Sequence, residues 1–208
     1  MTLIRSLPRA KSQPAWDIAL LYPPQGQWNE SDYLRATETT NQLVELRDGS
    51  IEVLTMPTPA HQRIVRFLLQ SLMSYVSDHP IGEVLFAPLR VRLWEKTFRE
   101  PDVLLVLAKN AKRVGDDYCQ GADLVMEVVS GSAEDRRRDL IEKRREYAKA
   151  GIDEYWIVDP KEKRITVLKR RGKTYLIHAQ ARPGDRASSA LLRGFEVDAT
   201  DVFAAAVR

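Results

Sequence analysis

The spacing of apolar positions predicts two long helices in this chain. Between residues 58 and 77, apolar residues recur every three or four positions, as on the buried face of an amphipathic helix. A second long helix is predicted over residues 133–150, where Gly151 follows the last turn as a natural C-cap. A shorter helix is predicted over residues 32–39, with Ser31 as its N-cap.

Short alternating or continuous apolar segments predict the strands. Residues 42–47 and 50–54 alternate polar with apolar positions around Asp48-Gly49, which predicts a hairpin with a two-residue turn. Residues 103–107 are wholly apolar, as in a strand covered on both faces. Further strands are predicted at residues 83–87, 89–94, 123–129, 154–158, 164–169 and 174–178. This order of elements predicts an α/β (α+β mixed) fold in which helices flank one mixed sheet.

Length and composition bound the domain organisation and the class of protein. A chain of 208 residues is one generous domain or two very small ones, and we expect an irregular, proline-rich arm at residues 1–30 followed by a single domain at residues 31–208. The chain is 44% hydrophobic and 29% charged, which excludes a wholly disordered protein. The longest apolar run, residues 103–108, is far shorter than the roughly 20 residues needed to cross a bilayer.

Cysteine content and charge narrow the location and the partners. Cys119 is the only cysteine and no apolar stretch resembles a signal peptide, which favours a reducing cytoplasm. The formal net charge of +3 permits a polyanionic partner without requiring one. Seven basic residues lie close together late in the chain, with Glu162 as the only acid among them, and predict a phosphate-binding surface. They are Lys161, Lys163, Arg164, Lys169, Arg170, Arg171 and Lys173.

Two acidic residues interrupt or border apolar strands. Asp102 directly precedes the strand at residues 103–107, and Glu127 lies inside the one at residues 123–129. A buried carboxylate is costly unless it is paired, hydrogen-bonded or bound to a metal. Either acid alone is explained by a strand cap or an arginine partner, whereas both together favour a shared divalent cation. Because no His or Cys residues have zinc-like spacing, Mg²⁺ or Mn²⁺ is the metal to expect.

Three further residues each allow a structural and a functional interpretation. Lys143 is predicted on the inward face of the second long helix, either as the partner of Asp139 in a helical ion pair or directed at the pocket of the two acids. Glu45 alternates with apolar neighbours in the hairpin and is either solvent-facing or a fourth acid of the site. His61 is either a surface residue of the first helical turn or a substrate contact.

Several motifs together resemble the Uma2-type family of restriction endonucleases, a branch of the PD-(D/E)XK nuclease superfamily. The resemblance covers roughly residues 31–204, and the string at 154–160 makes it specific. The motifs are Glu45-Leu46-Arg47-Asp48-Gly49, the stretch ending at His61, Pro101-Asp102, Glu127-Val128-Val129-Ser130, Arg138-Asp139-Leu140 with Lys143 and Tyr147, and Glu154-Tyr155-Trp156-Ile157-Val158-Asp159-Pro160.

The resemblance implies a restriction-endonuclease-like core, with a mixed central sheet flanked by helices, and Mg²⁺-dependent phosphodiester hydrolysis. It implies that Asp102 and Glu127 are the metal-binding acids, Glu45 an additional acid, and Lys143 a catalytic lysine displaced to the helix. The displacement departs from the superfamily pattern, in which the lysine lies two residues after the second acid, where this chain has Val129. Relatives also often have proline at the position of Gly131.

The leading hypothesis is a Mg²⁺-dependent endonuclease acting on nucleic acid, with DNA favoured over RNA. A second copy of the chain, forming a homodimer, is a further expected partner. The residues expected to contact nucleic acid are His61, Arg138, Lys169, Arg170 and Arg171. The alternative is a catalytically inactive nucleic-acid-binding or assembly module that retains the fold, although such a module needs no buried acids. Hydrolysis of another phosphate ester is a third hypothesis.

Overall fold

A computed structural model describes residues 22–38, 40 and 42–207 of the chain. Residues 1–21, most of the predicted N-terminal arm, lie outside this part. In the described part of the predicted arm, Trp28 is buried in one apolar cluster with Tyr33, Leu46 and Phe98. No helix among the described residues has the length and apolar character of a membrane span.

The described chain folds into helices, two of them joined by a π-helical segment, and into short strands. The helices are α1 (Glu30–Thr37), α2 (Pro59–Asp78), α3 (Ala133–Arg137), the π segment (Arg138–Glu142), α4 (Lys143–Ala150), α5 (Ala199–Ala204) and the 3₁₀ turns Ala108–Arg113 and Ala205–Val207. The strands are β1 (Val44–Arg47), β2 (Ser50–Val53), β3 (Gly82–Phe86), β4 (Val91–Trp94), β5 (Thr97–Arg99), β6 (Val103–Leu107), β7 (Leu124–Val128), β8 (Glu154–Asp159), β9 (Arg164–Arg171), β10 (Thr174–Ala181), β11 (Arg186–Ser188) and β12 (Glu196–Asp198).

The described strands form three sheets, one of which is the predicted mixed sheet. The central sheet has the order β10-β9-β8-β7-β6-β3, in which β7 and β8 are parallel and the other neighbours antiparallel. A four-stranded antiparallel sheet has the order β2-β1-β5-β4, and β11 pairs with β12. The mixed central sheet is confirmed, but the prediction of a single sheet is wrong, because the hairpin lies in the four-stranded sheet. The short strand β5, which was not predicted, pairs with β1 and β4 and so builds a separate sheet.

Helices cover both faces of the central sheet. On one face, Ile64 and Leu68 of α2 pack in a cluster with Leu105 of β6. On the other face, Tyr147 of α4 packs in a cluster with Leu104, the neighbouring residue of the same strand. Successive strand residues point to opposite faces, so β6 is buried on both sides, as its apolar sequence predicts.

The helix predictions hold with one correction at an N-terminus. Thr58 caps α2, and its side chain accepts a hydrogen bond from the His61 N–H at 3.2 Å. Gly151, with φ of +88°, ends α4 in the left-handed conformation. The N-cap of α1 is Asn29, whose side chain accepts from the Asp32 N–H at 2.8 Å, and not Ser31. Asparagine caps as well as serine, so the helix starts two residues earlier than predicted.

The π segment keeps one polar stripe on a single buried face from α3 through α4. Asp135, Asp139, Lys143 and Tyr147, spaced four residues apart, are all buried. At 100° per residue, an uninterrupted α-helix would rotate Tyr147 by about 120° relative to Asp135. A π turn contains more residues than an α turn, which removes most of this rotation. Acidic side chains and a lysine therefore share one buried face of this helical region.

The structure predicts a large difference between alanine substitutions at Gly49, in the β1–β2 turn, and at Gly172, in the turn between β9 and β10. Asp48 and Gly49 have φ of +45° and +79°, and a Cβ on Gly49 would lie 2.7 Å from the Gly26 carbonyl oxygen. Gly172, with φ of +64°, has no atom within 4 Å of such a Cβ. We expect Gly172→Ala to cost about 1–2 kcal/mol, the conformational penalty alone. Gly49→Ala should cost clearly more in urea unfolding, and equal losses would contradict the contact with Gly26.

Candidate active site

The two acids that border strands meet where β6 begins and β7 ends. Because β6 and β7 are antiparallel, with Val103 opposite Met126, Asp102 lies beside the end of β7. Asp102 Oδ2 accepts a hydrogen bond from the Val128 N–H at 2.7 Å. Asp102 and Glu127 both line one cavity of about 180 Å³. The structure therefore brings the two candidate metal ligands to a single site.

Lys143 extends from α4 into the middle of this site. Its Nζ lies 2.8 Å from Glu127 Oε1, 3.2 Å from Glu45 Oε1 and 3.7 Å from Asp139 Oδ1. The side chain is only 3% exposed. The interpretation of Lys143 as a simple helical ion pair with Asp139 is therefore wrong, because three buried acids surround the ammonium group. Tyr147 adds a hydrogen bond to Glu127, with its hydroxyl 2.6 Å from Oε1.

Glu45 is completely buried, so its interpretation as a solvent-facing residue is wrong. Its Oε1 accepts a hydrogen bond from the Glu100 N–H at 2.9 Å, and its Oε2 accepts one from Arg99 at 2.6 Å. Arg99 is itself fully buried and also binds Glu146 of α4 at 2.7 Å. Strand β1 thus presents Glu45 to Lys143, while Arg99 links this strand to the helix that carries the lysine.

The pKa shifts follow from this concentration of charge. Burial by itself would raise the pKa of Glu45, but Lys143 and Arg99 outweigh it and lower that pKa to about 2. Burial raises the pKa of Glu127, and the charges of Asp102 and Asp139 raise it further against the opposing effect of Lys143. Burial favours the neutral form of Lys143, yet Glu127 and Glu45 raise its pKa and keep it protonated. Glu45 and Lys143 are therefore charged at neutral pH. The pKa of Glu127 stays above its usual range because too little positive charge faces this carboxyl group.

The carboxylate oxygens of the site suit a small divalent cation. Within the described residues, Asp102 Oδ1 and Glu127 Oε2 accept no hydrogen bond, and the buried Asp139 Oδ1 has no hydrogen-bond partner. No three His, Cys, Asp or Glu residues of this part of the chain form a ready metal cage. Mg²⁺ does not require one, since it is usually held by one or two carboxylates with water and substrate phosphate completing the shell. The residues present thus fit Mg²⁺, and Mn²⁺ by the same oxygen chemistry.

Two of the residues expected to contact nucleic acid also line the cavity. His61 Nε2 lies 2.9 Å from the Val128 carbonyl oxygen and 3.4 Å from Asp102 Oδ2. The side chain of His61 is only 11% exposed, so its interpretation as a surface residue is wrong. Arg138 donates to Asp135 Oδ1 at 2.8 Å, and its Nε has no hydrogen-bond partner in the described structure.

The second half of the late basic cluster, Lys169, Arg170 and Arg171, does not reach this cavity. Glu127 pairs with Ile157 and Ile157 with Thr166, whereas Lys169 lies opposite Glu154 at the far end of β8. Lys169 is thus about 10 Å farther along the strand direction and two strands away. Lys169 and Arg171 are exposed, and Arg170 binds Asp153 at 2.6 Å. The structure therefore separates these three residues from the acids.

Sequence reasoning missed Arg99, Asp139 and Tyr147 as parts of the site. Tyr147 and Asp139 had a usable signal, since each lies four residues from Lys143 and so on its face of the helix. Arg99 had none, because a strand of three residues has no recognisable alternation.

The comparisons with known proteins bear on the family and the fold. The family model described as "Uma2: Putative restriction endonuclease" matches residues 30–201. The chain belongs to the Uma2 family. A solved structure, described as a putative nuclease belonging to DUF820 from Anabaena variabilis, is 16% identical over 86% of this chain and 99% of that one, with a TM-score of 0.69. No curated protein matches the sequence. The resemblance found in the sequence and the restriction-endonuclease-like core are thereby confirmed for this Uma2 protein.

Proposed function

We propose that this Uma2-family protein is a Mg²⁺-dependent endonuclease that hydrolyses phosphodiester bonds of nucleic acid, in the first place DNA. The observation that carries the proposal is the placement of Asp102 and Glu127 on one cavity, with Lys143 between Glu127 and Glu45. A nuclease is what the family leads one to expect. The cation, the reaction and the choice of DNA are the additional steps proposed here.

Asp102 and Glu127 would hold the cation. When bound, Mg²⁺ or Mn²⁺ polarises a phosphate and lowers the pKa of a water molecule that attacks it. The Val128 N–H fixes one oxygen of Asp102, and the Tyr147 hydroxyl fixes one oxygen of Glu127. The second oxygen of each carboxylate is thereby left for the cation, since a carboxylate held on one side keeps a single orientation.

Lys143 would supply the positive charge that, in the superfamily pattern, comes from a lysine at the position of Val129. Its ammonium group adjoins Glu127 and therefore lies where negative charge grows on a reacting phosphate. Glu45 holds the ammonium from the opposite side, and Arg99 holds Glu45. His61 and Arg138, which line the cavity wall, would contact the substrate. Lys169, Arg170 and Arg171 would contact only a more distant part of the backbone.

The test is incubation of the purified protein with supercoiled plasmid and single-stranded DNA in Mg²⁺, Mn²⁺ or EDTA. We expect cleavage with either cation and none with EDTA. Gel electrophoresis of the products measures the cleavage. Asp102→Asn should lose the activity, whereas Asp116→Asn, at an exposed position, should retain it. Cleavage in EDTA, or by Asp102→Asn at the wild-type rate, would contradict the proposal. Binding without cleavage would favour the inactive nucleic-acid-binding module.

A further inference from the structure

A second cavity, of about 270 Å³, adjoins the cavity that contains the acids. Four residues line both cavities: Thr55, Met56, His61 and Ser130. The two cavities thus share a wall at the end of β7 and the start of α2. A polymer whose phosphate lies at Asp102 and Glu127 has its next unit beside this second cavity, which we call the side pocket.

The walls of the side pocket are mainly apolar, with a few polar groups. The apolar contribution comes from Met56, Ile64, Val129 and Pro160. Lys161 at the rim is exposed and makes no ion pair with the described residues, whereas Arg136 is already engaged by Asp159 at 2.7 Å. Apolar walls with a few placed polar groups suit a flat ring with polar edges, and a free lysine at the rim suits a phosphate.

His61 provides an unused hydrogen-bonding atom on the shared wall. Because the Val128 carbonyl oxygen can only accept, His61 Nε2 is the donor in their 2.9 Å contact. Nδ1 on the other edge of the ring is buried and has no partner among the described residues. Leaving this nitrogen unsatisfied is unfavourable whether or not it carries a proton, and a ligand with a matching hydrogen-bonding group would remove the deficit. Each nucleobase carries both N–H donors and nitrogen or oxygen acceptors on its edges.

We infer that the side pocket receives the base of the nucleotide next to the scissile phosphate. The inference rests on the proposed nuclease function and specifies its substrate class. A base within a duplex reaches a protein pocket only by leaving the stack. The substrate is therefore single-stranded nucleic acid, or a duplex with an unpaired nucleotide at the cleavage position, in preference to an intact duplex.

Two residues with little or no side chain allow the pocket to be filled from different elements. Ala60 lies in the first turn of α2 and Gly131 just after Ser130, and both line the side pocket but not the cavity of the acids. A Cβ on Gly131 meets no atom within 4 Å. The filling variants are Ala60→Trp and Gly131→Phe, and the matched controls are Ala60→Ser and Gly131→Ala. Thermal melting identifies any variant that fails to fold.

Binding is measured first in EDTA, so that it is independent of hydrolysis. The probes are a single strand, a perfect duplex and a duplex with one unpaired 2-aminopurine. We expect the wild type to bind the unpaired probes at least tenfold more tightly than the duplex, with a rise in 2-aminopurine fluorescence. Each filling variant should lose that tenfold preference and the fluorescence rise, while the controls stay within twofold of wild type. Cleavage rates in Mg²⁺ should follow the same order.

The outcomes separate the pocket from the proposed activity. A wild type without preference for unpaired probes, or folded filling variants that behave as wild type, would overturn the pocket. If the preference exists and the filling variants lose it, but no probe is cut in Mg²⁺, the pocket holds and the proposed hydrolysis fails. If both filling variants are unstable, a wild type without preference for unpaired probes would still overturn the pocket.

Discussion

Lys143→Met is expected to reduce the cleavage rate by at least 10²-fold, the loss typical of removing one charged or hydrogen-bonding group from a reacting centre. Methionine has a similar length but no charge, and the ammonium lies 2.8 Å from Glu127. The measurement is single-turnover cleavage of a labelled oligonucleotide with saturating protein. Lys149→Met, at an exposed position of the same helix, is the matched control and should cleave at the wild-type rate. A Lys143→Met variant of full activity would remove the lysine from the mechanism.

The same variant should also unfold more easily, which needs a separate control. Without the ammonium, the buried Glu127, Glu45 and Asp139 lose their common partner, and breaking a buried ion pair typically costs about 3–5 kcal/mol. Adding Glu127→Gln to Lys143→Met removes one unpaired charge and should recover part of the stability without recovering activity. Recovery of both would mean that Lys143 acts only on the fold.

Arg99→Leu is expected to destabilise the fold as strongly as Lys143→Met, by about 3–5 kcal/mol in urea unfolding at neutral pH. The Arg99 side chain is 0% exposed and binds Glu45 at 2.6 Å, Glu52 at 2.5 Å and Glu146 at 2.7 Å. Its loss would leave these acids facing each other between the four-stranded sheet and α4.

The control for Arg99 is an ion pair of the same type in solvent. Arg186 binds Glu196 with side chains 54% and 43% exposed, so Arg186→Leu should cost less than about 1 kcal/mol. Arg99→Lys should fall between the two, because lysine keeps the charge but not the two-point contact with Glu146. Equal effects of Arg99→Leu and Arg186→Leu would show that the buried network adds nothing to stability.

Elements with strong local patterns were predictable from the sequence. Helix α2 has a continuous apolar stripe, the hairpin has its Asp48-Gly49 turn, and β6 is wholly apolar, so each appears where predicted. Strand β5 and the pair β11–β12 have three residues each and were not found, since so short a run has no period to read. Without β5 there was no reason to place the hairpin in a sheet of its own.

The site was predictable only in part for a related reason. Asp102 and Glu127 stood out because an acid in an apolar strand demands an explanation. Alternation assigns Glu45 to one face of its strand but cannot tell which face α4 covers, so its burial was undecided. The basic residues Lys169–Arg171 are close to one another in sequence, yet strand direction, which sequence does not reveal, places them at the end of the sheet away from the acids.

The π segment has a consequence for how relatives of this protein are aligned. Its turn accommodates one residue more than an α turn, while α3 and α4 on either side keep the same face toward the sheet. A homologue with a regular helix here would build the same site with its lysine one position closer in sequence to the second acid. A correct alignment of two such chains opens a gap inside a helix, where gaps are normally penalised. The separation of 16 residues between Glu127 and Lys143 is therefore a poor search criterion, and the shared helix face is a better one.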